Sequence, residues 1–249
     1  MKGRVYIGTS GFYYSHWIGK FYPEDLRREE VLSFYSQHFE TVEINSSFYH
    51  FPRRSTVEKW KASVSQDFVF SLKLHRSITH LKKLKPEVML LDKFFASLEP
   101  LKGRRTIVLI QTPASLRCDL ERLKLFLELL PKEFLYAFEF RHKSWFEKQV
   151  YETLEKNSAA LVFSDSPIKK DGSRLWPKVE VETAPFFYIR LHGSKLLYRS
   201  SYEKRELEAI ASLAKGKAFR GLDVFVYFNN DAEGHAIENA LELKRMIGV

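Results

Sequence analysis

The sequence has 249 residues, 45% of them hydrophobic and 29% charged, with a formal net charge of +9. This length buries a core without staples, and the aromatic-rich composition excludes a disordered chain. The single cysteine, Cys118, excludes an intramolecular disulfide and any cysteine-built zinc cluster, and the lack of an apolar run of ~18 residues argues against a membrane span.

Eight apolar runs rich in Val, Ile, Phe or Tyr read as strands: residues 5–7, 41–44, 68–74, 106–110, 135–140, 160–163, 186–191 and 223–228. Helical spacing of apolar residues fills most of the intervals. It is clearest in Val88-Leu91-Phe95-Leu98, Leu120-Leu123-Leu127-Leu130 and Ile237-Leu241-Met246. The strands begin about every 30 residues, the length of one βα unit. Eight such units predict a single (β/α)8 TIM-type barrel spanning residues 1–249. An open doubly wound sheet competes, but it usually needs fewer strands, and no GxGxxG follows the first strand. Residues 169–184 form the longest irregular stretch, an excursion after the sixth strand that reads equally as surface loop or functional loop. The N-terminus does not resemble a secretory leader, so a cytoplasmic protein is expected, as a monomer or small homo-oligomer.

Side chains alternate faces along a strand. In the seventh run Phe187, Ile189 and Leu191 oppose Tyr188, Arg190 and His192. In the second, Val42 and Ile44 oppose Thr41, Glu43 and Asn45; in the third, Phe70, Leu72 and Leu74 oppose Ser71, Lys73 and His75. In the fifth, Phe138 and Phe140 oppose Ala137, Glu139 and Arg141. The apolar faces should meet the helices, which sends the polar ones inward near the carboxyl ends, where barrel active sites lie. The converging set is then Glu43, Asn45, Lys73, Glu139, Arg141, Asp165, Arg190, His192 and Asn229. A buried charge network that only holds the barrel together is the competing explanation.

Glu43 and Glu139 suit acid and base roles if their surroundings separate their pKa values. On that reading Glu43→Gln should abolish turnover and leave folding intact. Glu43, Glu139, Asp165 and His192 are also of metal-ligating type. A divalent metal is not favoured, because Lys73, Arg141 and Arg190 would repel it and no HExxH-like spacing occurs. The three bases fit a phosphate or carboxylate better. Two loops add to this: His192-Gly193-Ser194-Lys195 after the seventh strand, and Asn229-Asn230-Asp231 after the eighth. Loops in these positions often hold phosphate in barrels, although ordinary turn and cap chemistry explains the second loop alone. The first loop, from Gly8 through Ser10 to Pro23, mixes glycines with rings. Phe48, Tyr49, Phe51, Arg53 and Arg54 repeat the mixture of rings and bases. Trp17 and Phe21 read as packing residues, as do Trp60 and Trp145.

At these motifs the chain resembles the YecE-like family, domain of unknown function 72. The matching segments include Ile7-Gly8-Thr9-Ser10-Gly11, Val42-Glu43-Ile44-Asn45-Ser46-Ser47-Phe48-Tyr49, Ile78-Thr79-His80, Glu139-Phe140-Arg141-His142-Lys143-Ser144-Trp145, Ser164-Asp165, Tyr188-Ile189-Arg190-Leu191-His192-Gly193 and Tyr227-Phe228-Asn229-Asn230. The resemblance implies a TIM-type barrel and no particular activity. Its barrel is similar to that of endonuclease IV-like enzymes, which implies a nucleic-acid ligand. The His-rich trinuclear zinc set of those enzymes is not evident among these motifs. Phe12 and Ser47 stand where the family usually has Trp and Thr.

The leading expectation is a phosphate-bearing ligand, small molecule or nucleic acid, bound at the mouth and hydrolysed there. Catalytic candidates are Glu43, Glu139, Asp165 and His192. Ligand-binding candidates are Ser10, Asn45, Tyr49, Lys73, Arg141, Arg190, Gly193, Ser194, Lys195, Asn229 and Asn230. The alternatives are a non-enzymatic nucleic-acid binder and an enzyme acting on a small phosphorylated metabolite. The surplus charge divides in two. Lys102, Arg104, Arg105, Lys215, Lys217 and Arg220 precede strands and should lie at the barrel bottom. Arg53, Arg54, Arg76, Lys82, Lys83, Lys85, Lys169 and Lys170 follow strands and should surround the mouth.

Overall fold

The structure is a computed structural model that describes residues 2–249. Its strands are β1 (Val5–Thr9), β2 (Thr41–Ile44), β3 (Val69–Lys73), β4 (Thr106–Gln111), β5 (Leu135–Glu139), β6 (Ala160–Leu161), β7 (Phe163–Asp165), β8 (Phe186–Leu191) and β9 (Asp223–Phe228). The helices are α1 (Val31–His38), α2 (Ser46–Tyr49), α3 (Arg54–Ala62), α4 (Val88–Ser97), α5 (Leu120–Glu128), α6 (Lys148–Lys156), α7 (Lys204–Phe219) and α8 (His235–Ile247). The sixth predicted strand is one continuous path interrupted at Val162, which makes the count nine.

Every strand pairing is parallel. One sheet runs β2-β3-β4-β5-β6 and the other β1-β9-β8-β7. Their edges meet at two seams. Ser10 bridges to Glu43 beyond the end of β1, and the chain steps from β6 into β7 through Val162. This circular order fits a TIM-like barrel. Among the described residues no helix is long and apolar enough to cross a membrane.

The alternation predicted from sequence sorts the core into two layers. Val42, Ile44, Phe70, Leu72, Phe138, Phe187 and Ile189 join the large cluster beneath the helices. Tyr6, Val69, Ile107, Leu109, Ala137, Tyr188, Phe225 and Tyr227 form a smaller cluster inside the ring. The inner cluster is built in storeys of side chains. Lowest, Tyr6 stacks on Phe225 at 4.7 Å, with Arg105 over both rings and paired to Asp223. Above, Tyr188 and Tyr227 lie 5.0 Å apart, their hydroxyls bonded to Ser71 (2.7 Å) and Thr41. These rings floor the polar storey at the carboxyl ends.

The bottom charges predicted from sequence are mostly spent on the fold. Lys217 pairs with Glu180 and Glu182, Arg220 with Glu182, and Arg104 donates to the carbonyls of Ser65 and Lys61. The second population differs. Arg54 and Lys82 have acidic partners, whereas Arg53, Arg76, Lys83, Lys85, Lys169 and Lys170 carry no ion pair among the described residues.

Candidate functional site

The polar storey centres on Arg190, fully buried on β8. Its Nε and Nη2 donate to Glu43 Oε2 and Oε1 at 2.9 and 2.6 Å, a forked pair across the ring. Its Nη1 donates to Glu139 Oε2. Glu43 also accepts from Ser10 Oγ at 2.7 Å and from the Tyr188 hydroxyl at 2.8 Å. Glu139 Oε1 accepts from His192 Nε2 at 3.0 Å, Ser164 Oγ at 3.1 Å and Arg141 Nη2 at 3.2 Å. The amide of Asn229 donates to His192 Nδ1 at 3.0 Å, which leaves the proton on Nε2, facing Glu139.

This saturation sets the charge states. Burial, the largest single influence, pushes both carboxyls up, but the Arg190 charge and the groups around it together outweigh it. Hydrogen bonds assist at Glu43, and Arg141 and His192 at Glu139, so both lie below the usual carboxylate range. Burial lowers His192 to about 4, leaving it neutral near neutrality. Tyr188 is raised well above its usual value by burial and then by Glu43, so it stays a donor.

The other half of the storey is not saturated. Lys73, at the end of β3, has its Nζ 4.2 Å from the Phe48 ring centroid and makes no hydrogen bond or ion pair through that atom among the described residues. Burial, followed by the Arg190 charge, holds it down at about 7. His80 stands close by, bonded through Nδ1 to Thr79 and edge-on to Phe48 at 4.9 Å; burial and the Lys73 charge lower it to about 4. Among the described residues the Asn45 side chain makes no hydrogen bond, although its Oδ1 is buried. Tyr49 is 58% exposed at the rim. Arg141 lies between the halves. It donates weakly to Glu139, Gln111 and Tyr198 at 3.2–3.3 Å, and its buried Nε has no partner.

Glu43, Lys73, Glu139, Arg141, Arg190, His192, Ser10, Asn45 and Asn229 therefore come together, with Tyr49 at the edge. Five sequence candidates do not. Asp165 points to the outer face of β7, where Arg174, Lys178 and the Tyr202 hydroxyl hold it. Strict alternation from Ala160 through Val162 puts Ser164, not Asp165, inside. The Gly193 N–H is taken by Tyr202 at 2.9 Å, and the residue's role is conformational: its φ is +94° and a Cβ would stand 2.4 Å from the Leu196 carbonyl. Ser194 lines an outer pocket beside Asp165 and α7. Lys195 is exposed and paired to Glu203. Asn230 turns outward and ties the carbonyl of Ser200 and the Asn239 side chain at 3.0 and 2.9 Å, as alternation past Phe228 requires.

Other members were missed. Gln111 and Ser164 carried a signal, since they continue the inward faces of Ile107-Leu109 and Ala160-Val162. His80 lay within a family-like motif. Trp176 and Tyr198 carried none. The excursion after β7 returns Trp176, only 6% exposed, over the mouth. Its ring sits 3.4 Å from the Arg141 guanidinium and edge-on to His192 at 5.1 Å. Trp17, by contrast, is fully buried as expected, its Nε1 donating to Asp231 at 2.9 Å.

Among the described residues no group of three or more His, Cys, Asp or Glu side chains is placed to hold a metal ion. The mouth also does not fit a His-rich trinuclear zinc set: His192 is the only histidine in the saturated network, and both its ring nitrogens are occupied.

The profile of the family described as "Protein of unknown function DUF72" matches residues 6–249. The UPF0759 protein YecE of Escherichia coli is 30% identical over 76% of this chain and 74% of its own length. The UPF0759 protein YunF of Bacillus subtilis is 27% identical over 98% and 95%. The crystal structure of a DUF72 family protein from Thermotoga maritima superposes with a TM-score of 0.87 at 30% identity, covering 99% of this chain and 100% of that one.

Proposed function

For this chain, which belongs to the DUF72 family, we propose that the barrel mouth binds a small ligand bearing a phosphate or carboxylate, with Arg141, Asn45 and Lys73 around it. One observation carries the reading: unspent polar groups lie beside a completed network. Arg190 cannot serve as the anion clamp, because two carboxylates already neutralise it. Arg141 is different. Its charge is shared with only one carboxylate at 3.2 Å, its Nε is free, and Trp176 fixes its plane. A buried donor without a partner is costly, so such groups are kept where a ligand completes them.

Glu43 and Glu139 support a positioning role rather than hydrolysis. Each is ionised and accepts four hydrogen bonds, so neither has a proton to give or a free lone pair aimed at substrate. They hold Arg190 and Arg141 and set the field at the mouth.

The test is calorimetric titration with inorganic phosphate. Binding is expected, weakened about tenfold or more by Arg141→Met, since a charged hydrogen bond contributes ~1.5–3 kcal/mol. Absence of binding, or binding indifferent to Arg141→Met, overturns the reading.

A second reading, in which a nucleic-acid strand carries the phosphate, draws on a neighbouring groove. A cavity of about 700 Å³ beside α2 and α3 is lined by Tyr49, Phe51, Arg53, Trp60 and Lys93 among others, with no Asp or Glu in its lining. Rings interleaved with unpaired bases suit single strands. This reading requires affinity for an oligonucleotide that falls steeply with salt.

A further inference from the structure

We propose that Lys73 is a nucleophile that forms an imine with a carbonyl compound carrying a phosphate or carboxylate. The inference rests on the anion-binding reading of the mouth and names the chemistry its ligand must have.

An ordinary lysine is a poor nucleophile near neutrality because its amine is protonated. Enzymes free the lone pair by removing water and placing other cations nearby. Lys73 has both conditions. It rises from the inner face of β3 into the polar storey, floored by the Tyr188 and Tyr227 rings and walled by Phe48 and His80. Burial disfavours its charged form most and the Arg190 charge next; the Arg141 charge adds to this, while the Glu139 and Glu43 charges offset part of it. A carboxylate bonded to Nζ would offset far more, yet Glu43 and Glu139 accept from other donors and neither pairs with Nζ. Contact with the Phe48 face favours the charged form and works against the desolvation.

A structural lysine is ordinarily paired. Here Glu43 and Glu139 are bonded to Arg190, Arg141 and His192, and half-buried Lys73 has no counter-ion among the described residues. Saturation of one half of the mouth is thus what activates the other.

The step balances without an oxidant. The Nζ lone pair attacks the carbonyl carbon, and the C=O π electrons move to oxygen, which takes a proton as nitrogen releases one. The carbinolamine then loses its hydroxyl with a second proton from nitrogen, forming C=N and water. Arg141 would hold the substrate's anionic group during both stages.

The probe is glyoxylate with cyanoborohydride at pH 7, read by mass spectrometry of peptides. Reduction of the imine leaves a carboxymethyl group on nitrogen. Lys73 should be modified about tenfold faster or more than exposed Lys148, and inorganic phosphate should slow only the Lys73 reaction. Lys73→Arg should remove that adduct while exposed Lys148 reacts as before. Modification of Lys73 no faster than Lys148 overturns the inference, and if phosphate still binds, the anion site stands without it. Fast modification of Lys73 that phosphate neither slows nor accompanies by binding keeps the nucleophile and overturns the anion site.

Discussion

The two halves of the barrel mouth are made of similar residues and finished differently. In one, Arg190, Glu43, Glu139 and His192, drawn from β2, β5 and the end of β8, bond to one another. In the other, the Lys73 and Asn45 side chains, at the ends of β3 and β2, make no such bonds among the described residues. The first half is a closed, buried ion network. The second keeps its polar groups for something else. Charged residues at a barrel mouth therefore cannot be weighed by type alone, because one strand's arginine is scaffold while another strand's lysine is available.

The largest expected effect breaks the saturated half. Arg190→Met leaves Glu43 buried without an ion pair and Glu139 with only the 3.2 Å contact to Arg141, and should cost about 3–5 kcal/mol, lowering the melting temperature by roughly 10 °C. Thermal denaturation with a urea titration measures it, and a variant as stable as the parent would show that the network is not buried. Glu43→Gln is expected to cost about 2–3 kcal/mol, because an amide offers Arg190 and Ser10 one acceptor where the carboxylate offered two. The expectation from sequence that this variant leaves folding intact is thus revised.

Proton linkage separates the halves next. The native pKa of His192 is depressed to about 4, so the unfolded state takes up its proton first as pH falls. Its contribution to stability is lost between about pH 6.5 and about 4, at most ~3 kcal/mol, and His192→Gln should flatten that part of the profile. Lys73 gives the opposite-signed result for a substitution. Its native pKa is about 7, so below that pH the folded state bears the cost of a buried ammonium, and the cost fades as pH rises toward the unfolded lysine value. Lys73→Met should therefore be more stable than the parent by about 1–3 kcal/mol at pH 6, with the difference shrinking steadily as pH rises above about 7. A destabilised Lys73→Met at pH 6 would place Lys73 with the scaffold. The smallest effect is Tyr49→Ala, expected within about 0.5 kcal/mol of the parent in chemical denaturation because the ring is exposed.

Much of this was legible in the chain. Alternation placed Glu43, Lys73, Glu139, Arg190 and His192 on inward faces because adjacent Cβ atoms in a strand must point oppositely. The same rule, carried one strand further, would have exchanged Asp165 for Ser164 and set Asn230 outside. It was obscured there because Asp165 looks more chemical than serine. Trp176 and Tyr198 had no periodicity to betray them, since they lie in irregular segments whose path is decided by what they pack against.

The sequence by itself determined the strand rhythm, the faces and the residue types at the mouth, because those follow from backbone geometry acting over a few residues. Only the tertiary structure decided how they are paired. Arg190 reaches Glu43 across 147 positions and Glu139 across 51, contacts set by barrel register and tilt. Those pairings consume the carboxylates, and the lysine left without one is a result of closure that no local pattern encodes.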